Sequence, residues 1–86
     1  MKVTFTEAAL LEYISWQTED KKTLRRINEL IQSIQRDGFM KGIEKPEPLK
    51  GLKAYSRRID AGNRLVYIGD SEQNLIILSC RGHYEN

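Results

Sequence analysis

The stretch AYSRRIDAGNRLVYIG, residues 54–69, has the pattern of a β-hairpin. We predict strands over 54–60 and 64–69, joined by Ala61-Gly62-Asn63, a glycine-bearing connection of hairpin length. A hairpin pairs antiparallel strands, so this stretch predicts a mainly antiparallel sheet.

Side chains alternate between the two faces of a strand, and this alternation predicts which face each arginine of the hairpin occupies. Arg64, Val66 and Ile68 share one face, so Arg64 lies at the entrance to a partly apolar surface. Arg57 and Arg58 are adjacent and face opposite sides. At most one of them is therefore expected to serve a given site, and the other is expected to be surface charge.

The segments on either side of the hairpin predict another strand and a loop. Residues 75–78 are an unbroken apolar run, as in a central strand buried on both faces. Residues 39–48 follow neither the helical nor the strand period. Pro46 and Pro48, which flank Glu47, remove two backbone donors and restrict the preceding residues to extended conformations. We therefore expect a stiff loop around Glu47.

The amino-terminal half predicts one short strand and two helices. Residues 2–5 alternate polar and apolar side chains, as in a strand. Thr6 is the expected N-cap of a helix in which one face is lined by Leu10, Leu11 and Ile14. The polar segment 18–20 offers a second N-cap, and the apolar residues after it recur at helical spacing: Leu24, Ile27, Leu30, Ile31 and Ile34. Gly38 ends this second helix at or just beyond Asp37.

The resulting order, β-α-α-β-β-β, predicts the fold class. Helices from the first half would pack on one face of a small, mainly antiparallel sheet in an α+β domain. The 86 residues are too few for two independent cores, so we expect a single domain over 1–86. A composition of 40% hydrophobic and 30% charged residues fits a globular protein.

Several classes of protein are disfavoured by composition. No apolar run approaches the roughly 20 residues of a membrane span. Glu7 and Glu12 interrupt the amino-terminal segment, and a signal peptide would not carry acidic residues there. We therefore expect a cytoplasmic protein without a membrane partner. Cys80 is the only cysteine and His83 the only histidine, so neither a disulfide nor a cysteine- or histidine-rich metal site is expected. No phosphate-binding glycine motif is present, and we expect no cofactor.

Positive charge is concentrated before and within the hairpin. Between residues 45 and 64 only Glu47 and Asp60 are acidic, against six basic residues: Lys45, Lys50, Lys53, Arg57, Arg58 and Arg64. A basic stretch of this kind suits a polyanion such as RNA or DNA, and is also compatible with an ordinary solvated edge.

One reaction needs neither metal nor cofactor and matches the residues available: cleavage of RNA by its own 2′-hydroxyl. It requires a base for the hydroxyl proton, cations for the phosphate and an acid for the departing 5′ oxygen. Glu47 is the candidate base and His83 the candidate acid. Arg58 and Arg64 are candidate phosphate contacts, because a guanidinium can hold two phosphate oxygens at once. Tyr84 is able to stack on a base.

Each candidate also has a purely structural explanation. Glu47 could be an exposed loop carboxylate, although two flanking prolines would hold a catalytic base in a fixed position. Arg64 could pair with Asp60 across the hairpin, and Tyr84 could pack at the carboxyl end. Other aromatic residues are expected in the core or between helix and sheet, namely Tyr13, Trp16 and Tyr67.

Taken together, six stretches resemble the YoeB-type branch of the RelE/ParE toxin superfamily, in order and at nearly constant spacing. They are 16–17 (WQ), 26–31 (RINELI), 45–50 (KPEPLK), 56–59 (SRRI), 64–67 (RLVY) and 83–84 (HY). The resemblance implies a RelE-like, microbial ribonuclease-like fold and the toxin of a bacterial type II toxin-antitoxin pair. Such toxins cut mRNA in the ribosomal A site without metal, leaving a 2′,3′-cyclic phosphate and a 5′-hydroxyl.

The resemblance also implies partners and residue roles. A cognate antitoxin binds the toxin and masks its site, and operator DNA is bound only through that complex. Glu47 matches the general base, His83 the general acid and Arg64 the arginine that stabilises the transition-state phosphate. The substrate-binding positions are matched by Lys50, Arg58 and Tyr84.

The chain departs from the family pattern in places, and two other functions remain open. Gly38 stands where the family usually has proline, Glu44 where it has a second loop glycine, and Glu85 and Asn86 follow the terminal HY. The superfamily also contains gyrase poisons on the same fold, and fold alone does not separate the two activities. A non-catalytic RNA-binding module is the third possibility.

Overall fold

The computed structural model describes residues 1–51 and 53–83. Its elements, in chain order, are β1 (Val3–Phe5), α1 (Glu7–Glu19), α2 (Lys21–Asp37), β2 (Glu47–Pro48), β3 (Tyr55–Asp60), β4 (Asn63–Gly69) and β5 (Leu75–Ser79). Two helices pack against one mixed sheet, which confirms the predicted α+β class.

The strands lie in the order β1-β5-β4-β3-β2. Strand β1 runs parallel to β5, with Val3 opposite Leu75, and the other neighbouring pairs are antiparallel. The hairpin predicted over residues 54–69 is confirmed as β3 and β4. The sheet is thus mainly antiparallel, and it places the first strand of the chain beside β5.

Strand β2 differs from the prediction, which placed a loop around Glu47. Glu47 lies opposite Ser56 and Pro48 opposite Tyr55, so this segment forms a two-residue edge strand. Proline is tolerated there because an edge strand has one side without a ladder partner. The extended conformations that the prolines impose are the same ones that allow the segment to pair.

The helices begin and end as their capping residues predict. The Thr6 hydroxyl accepts from the Ala9 N–H (3.1 Å), and Gly38, at φ +100°, follows the last residue of α2. A hydrogen bond from Tyr13 to Asn28 (2.7 Å) joins residues nearly equidistant from the corner between the helices, so the helices run antiparallel.

The face of α1 that meets the sheet is not the one the apolar pattern suggested. Ala9, Tyr13 and Trp16 pack in the core, whereas Leu10, Leu11 and Ile14 are exposed. The residues of the packed stripe recur at helical spacing, and small or amphipathic side chains at these positions allow close approach to β5. In α2 the prediction is confirmed: Ile27, Leu30, Ile31 and Ile34 are buried, with Leu24 partly buried against them.

The sheet has a helix-covered face and an open face. Leu65 and Tyr67 of β4 and Leu75 and Ile77 of β5 are fully buried under the helices. On the open face a smaller cluster contains Leu49, Ala54 and Val66, with Ile68 and Leu78 partly buried against it. The expectation that β5 is buried on both faces is therefore wrong for the open face, because α1 and α2 both pack on the other one. Within the described residues, neither helix has the length and apolarity that crossing a membrane would require.

Candidate functional site

Glu47 and Arg64 meet on the open face of the sheet. Because Glu47 lies opposite Ser56 on β3, the carboxylate reaches the same side as the Arg64 side chain on β4. The Arg64 Nε–H donates to Ser56 Oγ (3.0 Å), and its Nη2 lies 3.6 Å from Glu47 Oε2. The Arg64 side chain is 19% exposed and that of Glu47 is 62% exposed. A fixed guanidinium thus faces a solvent-accessible carboxylate.

Asp60 does not pair with Arg64, which was the structural alternative for that arginine. The Asp60 carboxylate instead accepts from the Gly62 N–H (2.9 Å) and from the Asn63 side-chain amide (3.0 Å). These bonds close the turn of the hairpin locally and leave Arg64 directed toward β2.

Arg58 lies directly opposite Arg64 in the β3–β4 ladder. Directly opposed side chains on one face have Cβ atoms roughly 5 Å apart, and like charges at that spacing repel. A register shift follows Arg58, at the edge of the site, and such bulges are common beside functional sites. The arrangement presents two guanidinium groups to the solvent side of the sheet, where an anion would relieve their repulsion.

Arg57 contradicts the expectation of surface charge, since it is fully buried under the helices. Its Nε–H donates to the Tyr67 hydroxyl (2.9 Å) and its Nη1 to Ser33 Oγ (3.1 Å). The remaining donors bind backbone carbonyls of the loop after α2, those of Gly38 (2.9 Å), Lys41 (2.6 Å) and Ile43 (3.0 Å). Arg57 therefore holds the loop that leads into β2.

His83 follows a tail segment that is bonded to β4. The Arg64 N–H donates to the Gly82 carbonyl (2.9 Å), so the backbone next to His83 lies beside the backbone of Arg64. The His83 side chain is exposed. Arg64 therefore contacts Glu47 through its side chain and the residue preceding His83 through its backbone. Tyr84 lies outside the described residues.

Lys50 is next in sequence to a residue of the open face, but it takes no part in the contact between Arg64 and Glu47. It is exposed and follows Leu49, which is buried against the open face and whose N–H donates to the Ala54 carbonyl (2.8 Å). In the described ranges, no ion pair links Lys50 to Glu47.

Cys80 is a buried residue of the helix side. Burial, followed by the nearby Glu12 carboxylate, raises the pKa of its thiol to about 12. A thiol with such a pKa is not ionised near neutral pH and is a poor nucleophile. Among the described side chains, no three of the histidine, cysteine or carboxylate type gather as a metal ion would require.

Two residues of the site were not among the predicted ones, Ser56 and Asn63. Ser56 orients Arg64, and the Asn63 side chain accepts the Gly82 N–H (2.8 Å). The position of the hairpin turn could have identified Ser56. Pairing the two strands across the turn at 61–63 places Ser56 near Arg64 on the same face of the sheet. The contact of Asn63 with Gly82 joins distant parts of the chain and has no local signal.

The fold is that of a class of bacterial toxins. A solved YoeB/ParE toxin from Agrobacterium tumefaciens superposes with a TM-score of 0.91 at 41% identity, covering 98% of this chain and 100% of the other. A YoeB–YefM toxin-antitoxin complex from Staphylococcus aureus contains a chain with a TM-score of 0.88 and 44% identity, with 98% of each chain covered.

The sequence places the chain more narrowly within that class. Residues 5–84 match the model of the YoeB-like toxin of bacterial type II toxin-antitoxin systems. Toxin YoeB of Synechocystis is 52% identical over 87 residues, covering 99% of both chains. The chain belongs to the YoeB-like toxin family, which confirms the resemblance found in the sequence.

Proposed function

We propose that this toxin is a ribosome-dependent mRNA endoribonuclease that cuts in the A site without metal. The observation that carries the proposal is the contact between Arg64 and Glu47 (3.6 Å), with the residue before His83 bonded to the Arg64 backbone (2.9 Å). A base, a phosphate-binding cation and an acid are the three groups that cleavage by the 2′-hydroxyl needs.

The reaction follows from these groups. Glu47 removes the proton of the 2′-hydroxyl, and the 2′ oxygen attacks the adjacent phosphorus. The bond between phosphorus and the 5′ oxygen breaks, and that oxygen takes a proton from the His83 imidazolium. The products are a 2′,3′-cyclic phosphate and a 5′-hydroxyl.

The arginines supply charge where it develops on the phosphate. Arg64 is oriented in advance by Ser56, so little reorganisation is needed when the oxygens gain charge. Arg58, opposite Arg64, adds a second guanidinium, and the repulsion between the two favours binding of an anion. Lys50 and Tyr84 would contact the substrate, Tyr84 by stacking on a base.

The proposed partners follow from the family. A cognate antitoxin would bind this toxin and mask its site, as supported by the related S. aureus toxin in complex with YefM. Operator DNA would be bound only through that complex. The proposed setting is the cytoplasm, where the ribosome presents mRNA in the A site.

The test is to map the 5′ ends of mRNA after inducing the wild-type toxin and the Glu47→Ala variant in bacteria. We expect cuts in phase with codons, bearing 5′-hydroxyls, for the wild type and a loss of about 100-fold or more in cutting for Glu47→Ala. Glu72→Ala, a change of an exposed carboxylate in the turn before β5, is the matched control and should cut like the wild type.

Two outcomes would contradict the proposal. Cuts that persist at wild-type level in folded Glu47→Ala would remove Glu47 as the base. Growth arrest without codon-phased cuts, or with unchanged mRNA and broken chromosomal DNA, would favour the gyrase-directed activity instead.

A further inference from the structure

The residue before His83 is held on both sides by the start of β4. The Gly82 carbonyl accepts from the Arg64 N–H (2.9 Å), and the Gly82 N–H donates to Asn63 Oδ1 (2.8 Å). We infer that Asn63 is a positioning residue for His83, fixing the tail beside Arg64 through its side-chain amide. This inference rests on the proposed role of His83 as general acid.

The orientation of the Asn63 amide is itself determined by the turn. Its Nδ2 donates to both carboxylate oxygens of Asp60, at 3.0 and 3.3 Å. With the nitrogen held there, the carbonyl oxygen is the end that faces Gly82. Asp60, Asn63 and Gly82 therefore form a chain of hydrogen bonds that runs from the hairpin turn to the tail.

The first part of the tail is held independently by α1. The Trp16 indole N–H donates to the Cys80 carbonyl (3.0 Å), and the Cys80 N–H donates to Glu12 Oε1 (2.8 Å). Arg81 stacks on the Trp16 ring, its guanidinium carbon 3.9 Å from the ring centroid.

Among the described residues, Asn63 is the last side-chain anchor before the acid. Without it Gly82 would be held only through its carbonyl, by the Arg64 N–H (2.9 Å), and the chain could pivot there because Gly82, at φ +81°, has no side chain to restrict it. A pivot at Gly82 would let the His83 imidazole occupy a wider range of positions relative to the 5′ oxygen. Loss of the anchor should therefore slow the chemical step and leave substrate binding nearly intact.

The experiment compares Asn63→Ala with Asn74→Ala in single-turnover cleavage on ribosomes programmed with a defined codon. Asn74 is a close match, because its Nδ2 also donates to a turn aspartate, Asp70 (3.4 Å), and its Oδ1 also accepts a distant backbone N–H, that of Lys2 (2.9 Å). We expect Asn63→Ala to lower the maximal rate about 10- to 100-fold with a half-saturating concentration within about two-fold of wild type. Asn74→Ala should retain the wild-type rate.

A second substrate identifies the step affected. An mRNA with sulfur in place of the bridging 5′ oxygen has a leaving group that departs as thiolate, since thiols are far stronger acids than alcohols. It therefore needs no general acid. We expect the sulfur substrate to restore the rates of both His83→Ala and Asn63→Ala, but not that of Glu47→Ala.

The failures of the two proposals are distinguishable. If sulfur restores His83→Ala but not Asn63→Ala, or if Asn63→Ala cuts the oxygen substrate as fast as Asn74→Ala, Asn63 does not position the acid and the inference is overturned alone. If sulfur does not restore His83→Ala, His83 is not the acid, and the proposed acid step and the inference that rests on it both fail.

Discussion

Arg57 and Arg58 are chemically identical neighbours with opposite surroundings. The Arg57 side chain lies on the helix-covered face, where its donors bind carbonyls of the loop after α2 and the hydroxyls of Ser33 and Tyr67. Arg58 lies on the open face, opposite Arg64. A buried guanidinium is tolerated only if its N–H groups are satisfied, and the carbonyl partners of Arg57 come from a loop distant in sequence.

Replacing Arg57 with methionine should destabilise the fold. The substitution keeps an apolar stem but leaves several buried carbonyl and hydroxyl groups without a donor, so we expect the free energy of unfolding to fall by about 3 kcal/mol. Urea denaturation followed by circular dichroism measures the change. Arg58→Met is the matched control and should change stability by no more than about 0.5 kcal/mol. Equal losses for the two variants would show that the loop does not depend on Arg57.

At the scale of elements, one residue both ends α1 and begins α2. The Asp20 N–H donates to the Trp16 carbonyl of α1 (3.1 Å), while Asp20 Oδ1 accepts from the Lys22 N–H (3.0 Å) of α2. Oδ2 accepts from the Thr23 hydroxyl (2.9 Å). With a single residue between the helices, the corner is set by this cap, and the helices are forced to return along each other over the sheet.

The cap makes the stability of the helix pair depend on pH. Hydrogen bonds from the Thr23 hydroxyl and N–H lower the pKa of Asp20 below its ordinary value of 3.8. A pKa lowered by folding means that the ionised carboxylate stabilises the fold above about pH 4, and that this contribution is lost as the pH falls through the folded-state pKa. Asp20→Asn should therefore have a lower melting temperature than wild type at pH 7, and the difference should shrink toward pH 2.

Thermal melts across this pH range measure the effect. Glu72→Gln, a change of an exposed carboxylate in a turn, should follow the wild type throughout. A gap between Asp20→Asn and wild type that is constant with pH would mean that the charge of Asp20 plays no part in the cap.

At the scale of the whole molecule, stability and the proposed chemistry are distributed unequally over the sheet. Strands β4 and β5 have neighbours on both sides and each carry two fully buried apolar residues, whereas β2 has two exposed residues at the edge. Glu47 thus lies on the strand with the least support, and Arg64 on one with the most.

Hydrogen exchange should reveal this gradient. Amides of Tyr67 and Ile77 are expected to exchange only through global unfolding, and the Leu49 amide, bonded to Ala54 beside β2, at least about 100-fold faster through local opening. Exchange measured by NMR at several low urea concentrations separates the two modes, since only global opening depends strongly on urea. Exchange of Leu49 as slow as that of Tyr67 would contradict a weakly held β2.

Local features of the sequence were enough to predict every element except β2. Thr6 and Gly38 bound their helices as expected, and the apolar periodicity of α2 was confirmed. The hairpin turn was confirmed one residue shorter than predicted, because Asn63 is already part of β4. Caps, turns and periodicity act within a few residues, so they can be recognised in the chain alone. Glu47, Arg64 and His83 were identified by the needs of one reaction and by resemblance to a family.

The tertiary structure decided what depends on contacts between distant segments. The face of α1 that is buried, the pairing of β2 with β3 and the burial of Arg57 all depend on which element lies opposite, and no local pattern contains that information. The same holds for the hydrogen bond between Asn63 and Gly82, which joins the hairpin turn to the tail. By itself the sequence determined both helices, every strand except β2, and which side chains are able to react; only packing of the sheet determined which of those side chains meet.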